Sequence, residues 1–244
     1  MIKCIIFDFG DTLVNTKRKT IEAHMVEYAR FLNKHGFYFS SDKVIAAHKA
    51  TEKTWSSFDE KSKQIRRLWE KTFLKALGVN PTNKLCFAME KAYYYFRIKN
   101  DKLMPNTIKT LKKLKKQGIR LCVVTNTKTN TNYVLAKEFK ILQYFDYFLR
   151  SHKEGTIKSE LKIFHLLLEK LNKNRKNKIL PSECLMVGNN LNEDTAASQI
   201  GMKTVILKKY IYVNKTKAFF EPDYYIDDLI EIVNIVAELT AGES

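Results

Sequence analysis

The side chains best suited to chemistry follow short apolar runs along the chain. Asp8 ends the first run, and Thr125 with Asn126 ends another. A third run is followed by Asn189 and Asp194. A carboxylate can act as a nucleophile or hold a cation, whereas hydroxyl and amide groups donate hydrogen bonds to an anion. If these runs are neighbouring strands, their trailing side chains meet in one crevice.

One lysine has a position that suits the same crevice. Lys158 lies ahead of an apolar helical pattern that begins near residue 160. An ammonium group there neutralises charge shared by a carboxylate and an anionic substrate. Because lysine is abundant in this chain, only the position of Lys158 selects it, and Lys153 is the alternative.

Positioning such side chains requires strands that alternate with helices, and the sequence after Pro105 has this alternation. We predict strands at 2–7, 119–124, 146–149, 184–187 and 204–207, and helices at 107–117, near 131–140, at 160–171 and near 194–200. Such alternation implies parallel strands joined by right-handed crossovers. The predicted fold class is therefore a doubly wound, Rossmann-like α/β core. Ligands bind such cores beyond the C-terminal ends of the strands, where the strand order reverses.

The segment after the first strand has a different pattern, with helical periodicity and almost no Gly or Pro. We predict helices from about Thr20 to Lys34, from Ser41 onward, along an apolar stripe from Ile65 to Leu77, and after Pro81. The predicted division is a core domain of residues 1–14 and 101–244 and an all-helical domain of residues 15–100.

Composition limits the classes of partner and location. The formal charge is +17, but the excess is lysine rather than the arginine that nucleic-acid readers favour, so we expect no nucleic-acid partner. No apolar run reaches the roughly 18 residues of a membrane span, and none resembles a signal peptide. The four cysteines are widely spaced, which favours reduced thiols in a cytoplasmic protein. The five histidines show no zinc-ligand spacing.

Four motifs occur in an order and spacing that resemble the haloacid dehalogenase superfamily. They are Ile-Phe-Asp8-Phe-Gly-Asp-Thr-Leu, Val-Val-Thr125-Asn, Lys158 ahead of Leu-Lys-Ile-Phe164, and Val-Gly-Asn189-Asn-Leu-Asn-Glu-Asp194. The resemblance covers the whole core, and the helical segment stands where this family inserts its cap domain. Most members of the family are Mg²⁺-dependent phosphatases, so the resemblance implies a hydrolase acting on a small phosphorylated metabolite.

The resemblance also implies roles for individual residues. Asp8 would be the nucleophile that forms an aspartyl-phosphate, and Thr125, Asn126 and Lys158 would bind the phosphoryl group. Magnesium would be held by Asp8, the backbone carbonyl of Gly10, Asn189 and Asp194.

Two positions depart from the phosphatase pattern. The family has an acid–base aspartate two residues after the nucleophile, and this chain has Gly10 there. Loss of a general acid lowers rates by about 10²–10⁴-fold, and Asp11 replaces it only if the turn rotates it inward. The second departure is Asn189 in place of an aspartate, which removes charge from the implied metal site.

These departures leave alternatives open. A catalytically weak or inactive relative would bind a phosphorylated ligand or a partner protein without turnover. A carbon–halogen or carbon–phosphorus hydrolase would need no acid at position 10, although dehalogenases carry a bulky residue there. The hypothesis of a nucleic-acid-binding protein is supported only by the net charge. The sequence does not determine the substrate or the oligomeric state.

Overall fold

The core sheet is built from the apolar runs that the sequence displays. The computed structural model describes residues 1–16, 21–58, 62 and 67–241. Six parallel strands form the sheet: β1 (Cys4–Phe7), β4 (Arg120–Thr125), β5 (Tyr147–Arg150), β6 (Cys184–Gly188), β7 (Lys203–Leu207) and β8 (Tyr224–Ile226). Two further strands of two residues each, β2 (Val14–Asn15) and β3 (Lys102–Leu103), pair with one another.

The strand order places a topological switch beside β1. The order is β5-β4-β1-β6-β7-β8, and every neighbouring pair is parallel. The chain therefore adds strands on one side of β1 and then on the other. In an open parallel sheet, this reversal opens a crevice at the C-terminal ends of the central strands. The doubly wound α/β fold predicted from sequence is confirmed.

Helices cover this sheet because its strands are apolar on both faces. The described helices of the core are α5 (Thr107–Lys116), α6 (Thr131–Glu138), α7 (Ser151–Glu154), α8 (Lys162–Asn172) and α9 (Ile232–Ala241). Alternate strand residues on one face pack against the apolar stripe of α8, which includes Phe164 and Leu167. All four cysteines are buried free thiols.

The helical segment forms a second compact unit. Its described helices are α1 (Ile21–Lys34), α2 (Ser41–Ser56), α3 (Leu68–Ala76) and α4 (Asn83–Asn100). The first unit comprises residues 1–15, 103–126 and 132–244, and the second comprises residues 16–102 and 127–131. The division predicted from sequence places residues 127–131 in the core, whereas in the structure this short segment, which ends at the first residue of α6, groups with the helical unit.

Helix boundaries in this unit follow local capping chemistry. The Ser40 side chain accepts the backbone N–H of Lys43 at the start of α2, and Thr82 does the same for Leu85 at the start of α4. Gly36 and Gly78 follow α1 and α3 with positive φ angles of 84° and 79°. The predicted helix start at Thr20 and the stripe residue Ile65 lie outside the described residues.

Several sequence-based details differ from the structure. The segment near 194–200 is a 3₁₀ helix, Thr195–Ile200, rather than an α-helix. The first strand begins at Cys4 rather than residue 2. Strand β8 and helix α9 were not predicted. Within the described ranges, every helix is too short or too polar to cross a lipid bilayer.

An aromatic cluster around His24 stabilises the pairing of α1 with α4. The His24 ring stacks on Phe96 at a centroid distance of 4.5 Å and also contacts Tyr28 and Tyr93. Its Nε2 atom is buried without a hydrogen-bond partner. Burial, assisted by the charges of His48 and Arg97, lowers the pKa of His24 to about 4. The imidazole is therefore neutral at pH 7.

We predict that protonation of His24 destabilises the helical unit in mild acid. The unfolded chain binds this proton near pH 6.5 and the folded unit only near pH 4, so stability falls as the pH drops between these values. His24→Phe keeps the stacking and should remove on the order of 2 kcal/mol of this loss. Urea unfolding at pH 7 and pH 4.5, followed by tryptophan fluorescence, measures the free energy of unfolding of both proteins at each pH.

Tryptophan is a suitable probe because both tryptophans, Trp55 and Trp69, lie in the helical unit. His165→Gln is the control, since His165 is exposed on α8. An equal acid sensitivity in wild type and His24→Phe would contradict the assignment.

Candidate active site

Asp8 stands at the switch point of the sheet. It follows β1, which lies between β4 and β6, and its backbone N–H donates to the Val187 carbonyl at 2.8 Å. Only 9% of its surface is exposed. The hydrogen bonding of the sheet therefore extends to Asp8, and its carboxylate lies at the strand-end crevice where the sequence predicts it.

A lysine ammonium bridges two carboxylates beside this strand end. Lys158 Nζ lies 2.6 Å from Asp8 Oδ1 and 2.5 Å from Asp194 Oδ1. Lys158 is 1% exposed and belongs to a 3₁₀ turn, Lys158–Glu160, ahead of α8. Lys153, the sequence alternative, is exposed on α7. The structure thus brings together three of the predicted site residues that are distant in sequence.

The second oxygen of Asp194 anchors the loop after β6. Oδ2 accepts the backbone N–H groups of Asn189 at 2.9 Å and Asn190 at 2.8 Å. A Cβ atom at Gly188 would lie 2.0 Å from this oxygen, so only glycine fits there. Both oxygens of Asp194 are therefore engaged by protein donors. Its side chain reaches back into the loop and does not cap the following 3₁₀ helix.

Thr125 and Asn126 lie at the end of the neighbouring strand. Thr125 Oγ1 accepts from Asn132 Nδ2 at 3.1 Å, which leaves its own proton available to an anion. Asn126 Oδ1 accepts the backbone N–H of Lys158 at 3.2 Å, and its Nδ2 donates to Glu193 at 2.6 Å. Sequence reasoning missed Glu193, although an acidic residue next to Asp194 was a visible signal. Its charge also favours protonated Lys158.

Gly10 contributes backbone only, and the chain turns immediately after it. Asp11 has a positive φ of 55°, its N–H donates to the Val14 carbonyl at 2.7 Å, and Val14 N–H donates to the Phe9 carbonyl at 3.0 Å. The alternation of side chains along an extended strand therefore ends at this turn. Asp11 is buried, with 8% of its surface exposed.

The Asn189 side chain is hydrogen-bonded at both ends. Its Oδ1 accepts from Thr12 Oγ1 at 3.1 Å, and its Nδ2 donates to the Tyr210 carbonyl at 2.8 Å. These contacts join the turn after β1 to the segment that follows β7. The resemblance implies metal ligation by Asn189, and in the structure both ends of its amide are hydrogen-bonded within the protein.

Burial dominates the electrostatics of the site. Desolvation raises the pKa of Asp8 to about 6, and the charge of Asp194 adds to the rise, whereas the ammonium of Lys158 opposes it. For Lys158, burial works against the charged form, but the two carboxylates outweigh it and raise the pKa above its usual value. Lys158 is a permanent cation here, and Asp8 is ionised at neutral pH.

Comparison with known proteins assigns the chain to a family. Residues 2–201 match the model of haloacid dehalogenase-like hydrolases. The chain belongs to this family. A glyceraldehyde 3-phosphate phosphatase of Pyrococcus furiosus is 28% identical over 242 residues, which cover 96% of this chain and 93% of that protein.

Solved structures of haloacid dehalogenase-like proteins share the fold. A 2-haloacid dehalogenase from Pseudomonas syringae pv. tomato has a TM-score of 0.70 at 21% identity, covering 98% of this chain and all of that one. The magnesium-bound hydrolase YfnB of Bacillus subtilis has a TM-score of 0.66 at 18% identity, covering 97% of this chain and 99% of that one. At these identities, the likeness concerns the fold alone.

The donors at this haloacid dehalogenase-like site do not fit the magnesium ion that the resemblance implies. Mg²⁺ requires octahedral oxygen ligands at about 2.0–2.1 Å and usually one or two carboxylates. Asp194 accepts hydrogen bonds on both of its oxygens, Asn189 is hydrogen-bonded at both ends of its amide, and Asp8 is paired with Lys158. Within the part of the chain that the structure describes, no three His, Cys, Asp or Glu side chains are grouped as metal ligands.

We predict that removal of the Lys158 charge destabilises the core. Lys158→Met leaves two buried carboxylates without a cation, which costs about 3–5 kcal/mol when one partner of a buried ion pair is removed. The loss should be smaller at pH 5 than at pH 7, because protonation of Asp8 relieves the repulsion. Urea unfolding followed by circular dichroism measures both values. Lys153→Met is the matched control. A loss of less than about 1 kcal/mol of unfolding free energy for Lys158→Met at pH 7 would contradict a stabilising role of the bridge.

Proposed function

We propose that this chain hydrolyses a phosphoric monoester of a small metabolite through an aspartyl-phosphate formed on Asp8. The observation that carries the proposal is the buried bridge from Lys158 to Asp8 and Asp194 at the switch point of the sheet. Thr125 and Asn126 flank this bridge from the neighbouring strand. The Pyrococcus relative, named as a glyceraldehyde 3-phosphate phosphatase, supports the same class of substrate.

The reaction has two displacements at phosphorus. A carboxylate oxygen of Asp8 attacks phosphorus, the bond to the ester oxygen breaks, and the leaving group departs as an alkoxide or phenolate that takes a proton from solvent water. Water then attacks the phosphorus of the aspartyl-phosphate and loses a proton to solvent, the bond from phosphorus to the Asp8 oxygen breaks, and inorganic phosphate and the Asp8 carboxylate are released. Lys158 holds the Asp8 carboxylate in place, and the Thr125 hydroxyl donates to a phosphoryl oxygen.

The proton for the leaving group does not come from position 10. Gly10 has no side chain, so esters of acidic alcohols, which leave without full protonation, are the preferred substrates. The resemblance implies magnesium, but the donors at this site are hydrogen-bonded to one another, and no step above passes through a metal ion. The cytoplasmic location stays a prediction.

We predict that Asp8→Asn abolishes phosphate-ester turnover. The amide is not a nucleophile, whereas it keeps the size of the carboxylate. Release of p-nitrophenol from p-nitrophenyl phosphate, at equal protein concentration and with matched thermal unfolding, measures the effect, which should reach at least about 10³-fold. Asp227→Asn is the control, because Asp227 lies on the surface of the core domain, where it pairs with Lys208. Equal rates in wild type and Asp8→Asn would remove the proposal.

We predict that Asp8 titrates near pH 6 in the free protein. Burial raises its pKa to about 6, so the nucleophile is protonated below this pH and kcat/KM falls in acid. Carbon-13 NMR of aspartate carboxyl groups reads the titration without a substrate, and the Asp8→Asn spectrum assigns the resonance. A midpoint near the ordinary value of 3.8 would contradict the burial argument.

A second candidate is hydrolysis of a carbon–halogen bond by the same nucleophile. Gly10 favours it, because a halide leaves without a proton and needs no acid at that position. The test is halide release from 2-chloropropionate by wild type and Asp8→Asn. Halide release without phosphate-ester turnover would select this candidate over the phosphatase.

A further inference from the structure

The environment of Asn189 is specific for an amide. Its oxygen faces a hydroxyl donor, Thr12, and its nitrogen faces a carbonyl acceptor, the backbone oxygen of Tyr210. A carboxylate could accept from Thr12, but its second oxygen would oppose the Tyr210 carbonyl. The surroundings therefore match the residue that is present and disfavour the aspartate usual in the family's phosphatases.

Backbone hydrogen bonds also connect the loop after β6 to the segment after β7. The Tyr212 N–H donates to the Asn189 carbonyl at 2.8 Å, and the Leu191 N–H donates to the Tyr212 carbonyl at 2.9 Å. Nearby, Asn15 Nδ2 donates to the Tyr210 hydroxyl at 2.9 Å. The Asn189 side chain is thus one bond in a network that fixes the segment after β7 against the strand-end crevice. Without rotation, only the second lone pair of the Asn189 Oδ1 oxygen is open to a metal ion. Rotation of the side chain would break both of its hydrogen bonds, which costs about 1–3 kcal/mol for each group left unsatisfied.

The carboxylates of the site already have a cation. Lys158 is held between Asp8 and Asp194, and the second oxygen of Asp194 accepts two backbone N–H groups. A backbone N–H from Phe9 also stabilises the Asp8 carboxylate. Of the three side chains to which the resemblance assigns the metal, Asp8 and Asp194 are already paired with an ammonium and Asn189 is uncharged, so a divalent cation would bind beside a positive charge that repels it.

We propose that this chain does not take Mg²⁺ at the position that its family uses, because Asn189 serves as a structural amide between Thr12 and Tyr210 and Lys158 is the resident cation. The proposal rests on the proposed function, since it concerns the same site. It predicts that phosphate-ester hydrolysis by this chain is independent of divalent metals.

The direct test is calorimetric titration of the full chain with MgCl₂ alone. Wild type should show no saturable binding, with a Kd weaker than about 10 mM. Asn189→Asp places a second carboxylate at the crevice and should bind at least about tenfold more tightly. Asn190→Asp is the matched control, because it adds the same charge one residue away and keeps an oxygen to accept from Asn192 N–H.

Binding and turnover are measured separately, so the two proposals fail in different ways. Turnover of p-nitrophenyl phosphate should change less than twofold between 5 mM EDTA and 5 mM MgCl₂. If no ester is hydrolysed, the proposed function fails, while the calorimetry still decides whether the metal binds. Thermal unfolding without metal monitors the folding of Asn189→Asp, and the wild-type titration does not depend on that variant.

Three results would overturn the inference. The first is sub-millimolar Mg²⁺ binding by wild type, and the second is loss of wild-type turnover in EDTA with recovery in Mg²⁺. The third is an equal gain in affinity for Asn189→Asp and Asn190→Asp, which would show that position 189 has no special relation to the metal.

Discussion

The buried bridge of Lys158 with Asp8 and Asp194 is the interaction on which the site depends. Removing these three charged groups from water costs several kcal/mol for each ion, and only close pairing offsets that cost. The pairing holds only if β1, the 3₁₀ turn before α8 and the loop after β6 end at the same place. The order of the sheet, with β1 between β4 and β6, satisfies this condition. The ammonium group of Lys158 therefore depends on the strand order for its two partners, and the proposed chemistry depends on that ammonium group.

Sequence patterns predict the parts of this arrangement that depend on local physics. Strand β1 is a short run of apolar, β-branched residues that a carboxylate ends, and β4 and β6 repeat the pattern with other polar residues. Buried parallel strands require this composition, and crossovers then bring their ends to one edge. The sequence therefore predicts that Asp8 and Thr125 lie at neighbouring strand ends. Strand β8 has three residues and too short a pattern for such reasoning.

Contacts that join distant segments could not be predicted in the same way. Nothing in the motif around Asn189 indicates that Thr12 and Tyr210 occupy its hydrogen-bonding groups, because these partners are 177 and 21 residues away. The resemblance implies metal ligation by Asn189, whereas its hydrogen bonds to Thr12 and Tyr210 are visible only in the folded structure. Similarly, the selection of Lys158 among many lysines depends on a turn whose position only the folded core determines.

Charge balance decides which substrates such a site accepts. Asp8, Asp194 and Lys158 together carry one net negative charge, and Glu193 adds another nearby. A phosphate dianion entering this crevice without a divalent cation must be compensated by neutral donors such as the Thr125 hydroxyl and by the positive field of a chain with formal charge +17. That field acts over a Debye length of about 8 Å and raises association rates more than it stabilises bound charge. A monoanionic substrate needs less compensation, so the charge of the reacting group separates the two candidate activities at this site.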